Sequence, residues 1–267
     1  MKYVFDHDFH IHSQVSSCSN DPGQTNERIL QYAEEEGLHT IVLADHFWDE
    51  SIPGASKWYS KQDYPHICQA KPLPQSEKVK FLFGCETEMD KYMTVGCSVE
   101  RMKDFAFVVI PTTHFHMTGF TLSDEQLETP QARAKAWVDK FEALMEQDLP
   151  FHKIGIAHLT CGLIWKGDRA KYLETIDSIP VEDMHRLFAK AAKLGIGIEI
   201  NPGNMKYAEE EKDILLRPFR IAKEEGCKFY CGSDVHHPEN FANVRKWIER
   251  GIDDLGLTEE DKFILKS

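Results

Sequence analysis

Seven short apolar runs recur along this chain of 267 residues, and nearly every run ends in a residue type that binds metals. The runs are rich in Val, Ile and Phe, which is typical of buried β-strands. They lie at residues 3–9, 40–44, 79–83, 105–110, 154–157, 196–200 and 228–231. Helix-like stretches separate them, including residues 25–36, 123–146, 181–194 and 208–225. This alternation predicts an α/β fold with a parallel sheet, and the number of repeats favours closure into a barrel.

The residues that end these runs are expected to converge on one site. In a parallel barrel, the loops that follow the strands face the same opening, so functional residues gather at the carboxyl ends. Glu86 and Asp234 hold such positions, together with eight of the 13 histidines. These histidines are His10, His12, His46, His114, His116, His158, His236 and His237. The pattern therefore predicts a metal site at the mouth of the barrel.

His10 and His12 form the sharpest local feature. Residues two apart on a strand point to the same side, so both imidazoles can reach one metal ion. The pair alone is equally compatible with two hydrogen-bonded or exposed histidines, and it is the other strand-end residues that favour a metal site. Histidines combined with carboxylates suit zinc, manganese or iron better than magnesium or calcium. We expect two or three divalent ions of one of these elements.

Composition and charge limit the other possibilities. With 42% hydrophobic and 28% charged residues and no polar linker, the chain is expected to form one domain over residues 1–267. A net charge of -13 without a basic cluster disfavours long nucleic acids and anionic membranes as partners. We find neither a signal-peptide pattern nor an apolar run near the roughly 18 residues of a membrane span, which predicts a cytoplasmic protein. The sequence does not indicate an oligomeric state.

A series of motifs, in order along the chain, resembles the PHP family, named for polymerase and histidinol phosphatase. The motifs are DFHIHS at 8–13, LADH at 43–46, GCE at 84–86, TTHFH at 112–116, IAHLT at 156–160, EINPGN at 199–204 and GSDVHH at 232–237. The ordered set spans nearly the whole chain and is far more specific than any one motif. The chain is most similar to the stand-alone, histidinol-phosphatase-like branch, because it contains little beyond the predicted barrel.

This resemblance implies a distorted (βα)7 TIM-like barrel with up to three metal ions. The first metal would be held by His10, His12, Glu86 and Asp234. Glu86 would bridge to a second metal bound by His114 and His158. A third would take His46, His236 and one residue from the loop that follows the HxH pair.

Cys18 stands where that loop departs from the family pattern. Phosphatase relatives usually place a histidine in the loop that reads SQVSSCSND here, and the spacing puts Cys18 at that position. A thiolate can bind zinc or iron, which would make Cys18 a ligand of a third metal. The alternative is an unrelated loop cysteine and only two metals.

The implied chemistry is hydrolysis of a phosphate ester. Two metals about 3.5 to 4 Å apart can share a hydroxide, lower its pKa toward 7 and neutralise the phosphoryl oxygens. Glu86 and Asp234 are the predicted catalytic residues, and Asp234 could also assist proton transfer. The leading hypothesis is a phosphoesterase for a small anionic phosphorylated metabolite, with histidinol phosphate as one candidate. A nucleotide or short oligonucleotide is the main alternative substrate.

Two other functions stay open from the residues alone. An amidohydrolase also begins with an HxH pair in a barrel, but that family commonly bridges its metals with a modified lysine, whereas Glu86 takes that place here. A barrel that binds metal only for stability is the non-enzymatic alternative. Structural zinc sites usually close with four ligands, so the larger set of candidate ligands counts against it.

The remaining candidates are weaker. Residues 47–76, rich in aromatic residues and prolines, are predicted to form a long loop that covers the site and selects the substrate. Glu199 or Asn201 could hydrogen-bond a ligand imidazole or the loop backbone. His116 and His237 each adjoin a better candidate, and either could face the substrate or support the neighbouring ligand. Four cationic residues after strands could contact phosphate, although most such charges are solvated, namely Lys166, Arg169, Lys206 and Arg217.

Overall fold

The structure is a computed structural model, and it describes residues 1–265. Its strands are all parallel and form two hydrogen-bonded sheets. In chain order they are β1 (His7–Ile11), β2 (Thr40–Leu43), β3 (His46–Phe47), β4 (Lys80–Phe83), β5 (Cys85–Thr87), β6 (Val108–Pro111), β7 (Ile154–Ala157), β8 (Gly197–Ile200) and β9 (Lys228–Cys231). One sheet has the order β1-β2-β4 and the other the order β3-β5-β6-β7-β8-β9. The mixed α/β class with parallel sheets agrees with the sequence-based prediction.

The division into two sheets arises where two strand runs are interrupted. Residues 44–45 separate β2 from β3, and Gly84 separates β4 from β5. A Cβ atom at Gly84 would lie 2.4 Å from Val42 Cγ1 and 2.6 Å from the Phe107 carbonyl oxygen, so only glycine fits between these neighbours. The predicted runs 40–44 and 79–83 contain β2 and β4 of the first sheet, and β3 and β5 of the second sheet follow them. The seven predicted strands become nine segments for this reason.

The two sheets also approach each other between β9 and β1. The Asp234 amide donates to the His10 carbonyl oxygen at 2.7 Å, and the His12 amide donates to the Val235 carbonyl oxygen at 3.1 Å. These bonds follow the end of β9, and β1 and β9 are not paired as a regular ladder in the described chain. A closed (βα)7 barrel thus stays a prediction, as does the extent of the domain over residues 1–267.

The helices of eight or more residues are α1 (Asn26–Glu35), α5 (Pro130–Met145), α6 (Arg169–Asp177), α7 (Val181–Leu194), α8 (Lys212–Glu224) and α9 (Val244–Leu255). Three single-turn helices are α2 (Tyr64–Ile67), α3 (Val99–Met102) and α4 (Asp124–Leu127). The predicted helix over 123–146 is divided into α4 and α5, because Pro130 starts a new helix that the Thr129 side chain caps. The sequence-based prediction did not include α6 and α9.

Both faces of the sheets are covered, which explains why the strands read as continuous apolar runs. Around β6, Val108 and Ile110 belong to a large apolar cluster that extends from Tyr3 to Leu257. Phe107 and Val109, whose side chains alternate with them, belong to a smaller cluster on the other face. In the described residues, no helix is long and apolar enough to span a lipid bilayer.

Candidate metal centre

The predicted ligands lie together, although they come from all parts of the chain. His10 lies within β1 rather than after it, since β1 begins at His7 and extends to Ile11, later than the predicted run. His46 is in β3 and Glu86 in β5. The other ligands follow β1, β6, β7 and β9, namely His12, His114, His158, Asp234 and His236. Their nitrogen and oxygen atoms form overlapping groups in which every pair lies within 4.8 Å.

The first group contains His10, His12, Glu86 and Asp234. The Nε2 atoms of His10 and His12 are 3.1 Å apart. Glu86 Oε2 lies 3.4 Å from His10 Nε2 and 3.3 Å from His12 Nε2. Asp234 Oδ1 lies 3.2 Å from His12 Nε2. Two imidazoles and two carboxylates thus face one point, as a zinc, manganese or iron ion requires.

The second group shares Glu86 with the first and adds His114 and His158. His158 Nε2 is 3.5 Å from Glu86 Oε1, the oxygen opposite the one that faces His10 and His12. It is also 3.6 Å from Asp234 Oδ2. The two oxygens of Glu86 therefore face different histidines, which is the arrangement of a carboxylate that bridges two metal ions.

A third group contains His12, His46 and His236. The rings of His12 and His236 stack with centroids 4.1 Å apart, and His46 Nδ1 lies 2.8 Å from Glu86 Oε2. Cys18 lines the same cavity but is not a member of these groups. Burial and the negative charges of Glu86 and Asp234 raise the pKa of the Cys18 thiol, which opposes thiolate formation unless a cation binds beside it.

The buried environment of Glu86 is a second reason why these residues fit metal ions. The side chain is completely buried, and neither carboxylate oxygen accepts a hydrogen bond from the described protein. A buried carboxylate without hydrogen bonds is strongly unfavourable unless cations compensate its charge. Coordination by divalent ions supplies that compensation.

The electrostatics of the group favour ionised carboxylates. Burial raises the pKa of Glu86, but the charges of His46 and His10 and the close imidazoles of His10 and His12 outweigh it and hold that pKa well below its usual range. The pKa of Asp234 is likewise well below its usual range, because His158 and His236 outweigh the effect of burial. Both carboxylates are therefore charged and ready to bind cations at neutral pH.

Carboxylates behind two of the histidines fix the ring orientation. His10 Nδ1 lies 2.6 Å from Glu199 Oε1, and His114 Nδ1 lies 2.8 Å from Glu88 Oε2. When Nδ1 donates to a carboxylate, Nε2 carries the lone pair that binds a metal. From the sequence, Glu199 was expected to hydrogen-bond either a ligand imidazole or the loop backbone, and its contact with His10 is the first of these two. Glu88 was missed, although its position two residues after Glu86 places both side chains on one side of the strand.

His12 is oriented through a serine. Its Nδ1 atom lies 3.0 Å from Ser16 Oγ, and that hydroxyl donates to Asp45 Oδ1 at 2.7 Å. Ser13 binds the same carboxylate through its amide and its hydroxyl, both at 2.8 Å. The loop after the HxH pair is thereby attached to the end of β2. No role of Asp45 or of the two serines was predicted from the sequence.

Two of the candidate ligands adopt a left-handed backbone. His158 has a φ of 59° and Asp234 a φ of 54°. Such a conformation costs non-glycine residues about 1 to 3 kcal/mol and concentrates at functional sites. His158 directly follows the last residue of β7, and Asp234 lies three residues after the end of β9.

A cavity of about 400 Å³ lies next to the metal groups. Trp58 and Tyr59 from the 47–76 loop line it, as predicted for part of that loop. The loop also contains helical turns, including α2. His116 lines the cavity, and burial lowers its pKa to about 4. The other lining residues are Cys18, His46, Glu86, His114, Met117, His158, Leu163, Asp234 and His236.

Several other residues that were predicted to contact the substrate or a ligand do not line this cavity. His237 lies 3.2 Å from Asp21 through Nδ1. Arg169 pairs with Glu211, and Arg217 pairs with Asp177 at 2.9 Å. Neither arginine lines the cavity, nor do Lys166, Lys206 and Asn201.

Comparison with solved structures shows the fold that this chain shares. A zinc-containing histidinol phosphate phosphatase from Lactococcus lactis, solved with L-histidinol and phosphate, superposes with a TM-score of 0.62 at 15% identity, over 93% of this chain and 94% of that one. A Listeria monocytogenes protein provisionally named as a histidinol phosphatase gives a TM-score of 0.56 at 14% identity, over 90% of this chain and 98% of that one. No protein-family model matches the chain, and no curated protein matches its sequence. At these identities the similarity establishes a common fold.

Proposed function

We propose that this protein is a metal-dependent phosphoric ester hydrolase of the PHP type. The observation that carries this proposal is the position of Glu86, whose two oxygens face two different sets of histidines and accept no hydrogen bond from the described protein. The shared fold with a zinc-containing phosphatase supports the same conclusion. The (βα)7 barrel belongs to this proposal, with the hydrogen bonds between the end of β9 and β1 as its support.

Each residue has a defined part in binding. One divalent ion would be held by His10, His12 and Asp234. A second would be held by His114 and His158, and Glu86 would bind both ions. When bound, the two ions would supply an activated water and positive charge opposite the phosphoryl oxygens. Glu86 and Asp234 are held ionised by their histidine neighbours, so they would keep these ions in place and orient them. Asp234 is the better placed of the two to exchange a proton with the solvent, since its side chain is 26% exposed whereas Glu86 is buried.

A third ion would be bound by His46 and His236, with Cys18 as the additional ligand. Support comes from the short distances within the histidine group and from the place of Cys18 in the wall of the same cavity. A thiolate at this position would favour zinc or iron over manganese. If Cys18 does not bind, the centre holds two ions.

The substrate would be a small phosphorylated metabolite. The cavity volume of about 400 Å³ suits a molecule of this size. Histidinol phosphate is the first compound to test, because the Lactococcus structure contains L-histidinol and phosphate. A nucleotide or short oligonucleotide is the second. The cytoplasmic location stays a prediction.

An amidohydrolase is the alternative from another reaction class. Enzymes of that class commonly use a modified lysine between their metals, and no lysine lines the cavity in the described part of the chain. The bridging position is taken by Glu86 instead. The structure therefore favours phosphoester over amide hydrolysis.

The experiment is to compare p-nitrophenyl phosphate with p-nitrophenyl acetate, using the purified protein reconstituted with zinc or manganese. The proposal predicts release of p-nitrophenol from the phosphate, its loss with chelator, and its recovery on metal addition. A His12→Ala variant should lose this activity. A Lys57→Ala variant, in the 47–76 loop, should keep it. Hydrolysis of the acetate alone would contradict the proposal.

A further inference from the structure

The part of the cavity that lies away from the metal ligands is apolar. Trp58, Tyr59, Met117 and Leu163 form this part, which we call the apolar wall. They come from three segments, namely the 47–76 loop, the turn after β6 and the turn after β7. Apolar side chains contributed by separate loops create a binding surface for an apolar group, which transfers out of water when it binds.

The aromatic part of this wall is in contact with the metal ligands. The Trp58 ring is 4.9 Å from the His46 ring between centroids, in an edge-to-face arrangement. Trp58 and Tyr59 also pack edge to face at 4.7 Å. If a phosphate ester binds with its phosphate among the metal ligands, its leaving group would therefore lie against these rings.

The charged residues of the cavity lining itself are metal ligands. Glu86 and Asp234 are the charged carboxylates of the described lining, and no lysine or arginine belongs to it. Lys166, whose charge contributes to the lowered pKa of His116, lies outside the lining, so a second anionic group of a substrate would find no cationic side chain in direct contact. Divalent ions would neutralise the two carboxylates, so a substrate with an ammonium group would find no free carboxylate in the lining.

Tyr59 packs against the Trp58 ring of this wall at 4.7 Å between centroids. Its side chain, including the hydroxyl, is completely buried, so Trp58, Met117 and Leu163 offer the accessible apolar surface.

From these observations we infer that the substrate is the phosphate monoester of a ring-bearing alcohol with no charge other than its phosphate. Trp58, Met117 and Leu163 bind the ring. This inference rests on the proposed phosphatase function. In the reaction, a water oxygen bonds to phosphorus and the bond from phosphorus to the ester oxygen breaks. The leaving oxygen keeps the electron pair and takes a proton, giving the alcohol and inorganic phosphate.

The test compares four alkyl phosphates on the metal-reconstituted enzyme, since their leaving groups have similar basicity. They are 2-phenylethyl phosphate, glycerol 3-phosphate, 3-phosphoglycerate and histidinol phosphate. We expect kcat/KM for 2-phenylethyl phosphate to exceed the other three by about tenfold or more, the effect of filling an apolar pocket. Trp58→Ala should reduce this preference about tenfold through a higher KM for the phenyl substrate, measured as the ratio of its kcat/KM to that for glycerol 3-phosphate.

Tyr92→Ala, at a tyrosine that is 77% exposed, is the control and should change none of the four values.

The outcomes separate the inference from the proposed function. Equal or higher kcat/KM for glycerol 3-phosphate, 3-phosphoglycerate or histidinol phosphate would overturn the inference and leave the phosphatase function in place. A preference for the phenyl substrate that survives Trp58→Ala in a folded variant would also overturn it. Activity on none of the four esters, with metals bound, would overturn both.

Discussion

The Nδ1 atom of His10 and the Oε1 atom of Glu199 lie 2.6 Å apart, although 189 positions separate the residues in the chain. The other oxygen of Glu199 accepts the amide of His158 at 3.1 Å. One buried carboxylate thus orients a ligand of each proposed metal. Its place is closely fixed, because a Cβ atom at Gly232 would lie 2.3 Å from Glu199 Oε1.

Glu199→Gln should weaken metal binding while keeping the shape of the side chain. The amide accepts more weakly than the carboxylate and no longer raises the basicity of His10. We expect the affinity for zinc to fall about ten- to a hundredfold, as is typical for carboxylates behind ligand histidines. Competition with a fluorescent zinc chelator measures it. Glu224→Gln, at an exposed position of α8, is the control, and equal affinities for both variants would contradict the orienting role.

Glu88→Gln should act on one metal only. Glu88 contacts His114 Nδ1 at 2.8 Å, and His114 belongs to the second group but not to the first. Elemental analysis after dialysis should show about one metal fewer per chain than the native protein. Loss of all metals from a folded variant would show that the two groups are not separable.

The sequence predicted the α/β class and the approach of the ligands, for a physical reason. Parallel strands bring their carboxyl ends to one edge, so His10, Glu86, His158 and Asp234 could be placed without knowing any distance. Which residue supports which ligand could not be predicted in this way. The contact of Glu88 with His114 depends on side-chain direction across two strands, and a sequence does not show it.

The separation of β2 from β3 and of β4 from β5 also could not be predicted from the sequence. Both the 40–44 and 79–83 runs look continuous, and the break at Gly84 depends on Val42 and Phe107 from neighbouring strands. The left-handed conformations of His158 and Asp234 are a second example. They depend on tertiary contacts, and neither position is a glycine, the residue that would have indicated a left-handed backbone from the sequence.

Gly155→Ala should destabilise the protein without touching the metal ligands. An added Cβ would lie 2.5 Å from Phe107 Cζ and 2.5 Å from Tyr230 Cε1, inside the cluster between the strands. Overpacking of this kind costs about 1 to 3 kcal/mol in the free energy of unfolding, measured by urea denaturation. Gly162→Ala, where no neighbouring atom lies within 4 Å, is the matched control. Equal stability of the two variants would contradict the packing described.

Asp6 should make stability depend on pH in the acid range. Burial raises its pKa, but hydrogen bonds from His7 and Lys262 outweigh this and lower it to about 2. A carboxyl group with a lowered pKa stabilises the fold above its unfolded pKa of about 4, and that contribution is lost as pH falls toward 2. Asp6→Asn should therefore be less stable than the native protein near neutral pH, with the difference shrinking below about pH 4.

Urea denaturation at several pH values measures this difference. Asp124→Asn, at an exposed position, is the control and should show a smaller deficit. A deficit for Asp6→Asn that grows as pH falls would have the wrong sign and would contradict the ion pair.

The most direct test of the account is the metal content of the native protein and of Glu86→Gln, with phosphatase activity measured on the same samples. Because Glu86 is proposed to bridge both ions, the native protein should retain at least two metals per chain and hydrolyse p-nitrophenyl phosphate. The variant should lose at least one metal and about a thousandfold or more of its activity, since a metal supplies several kcal/mol to such reactions. Native metal content with undiminished activity in Glu86→Gln, or a native protein that binds no metal, would contradict the central claim.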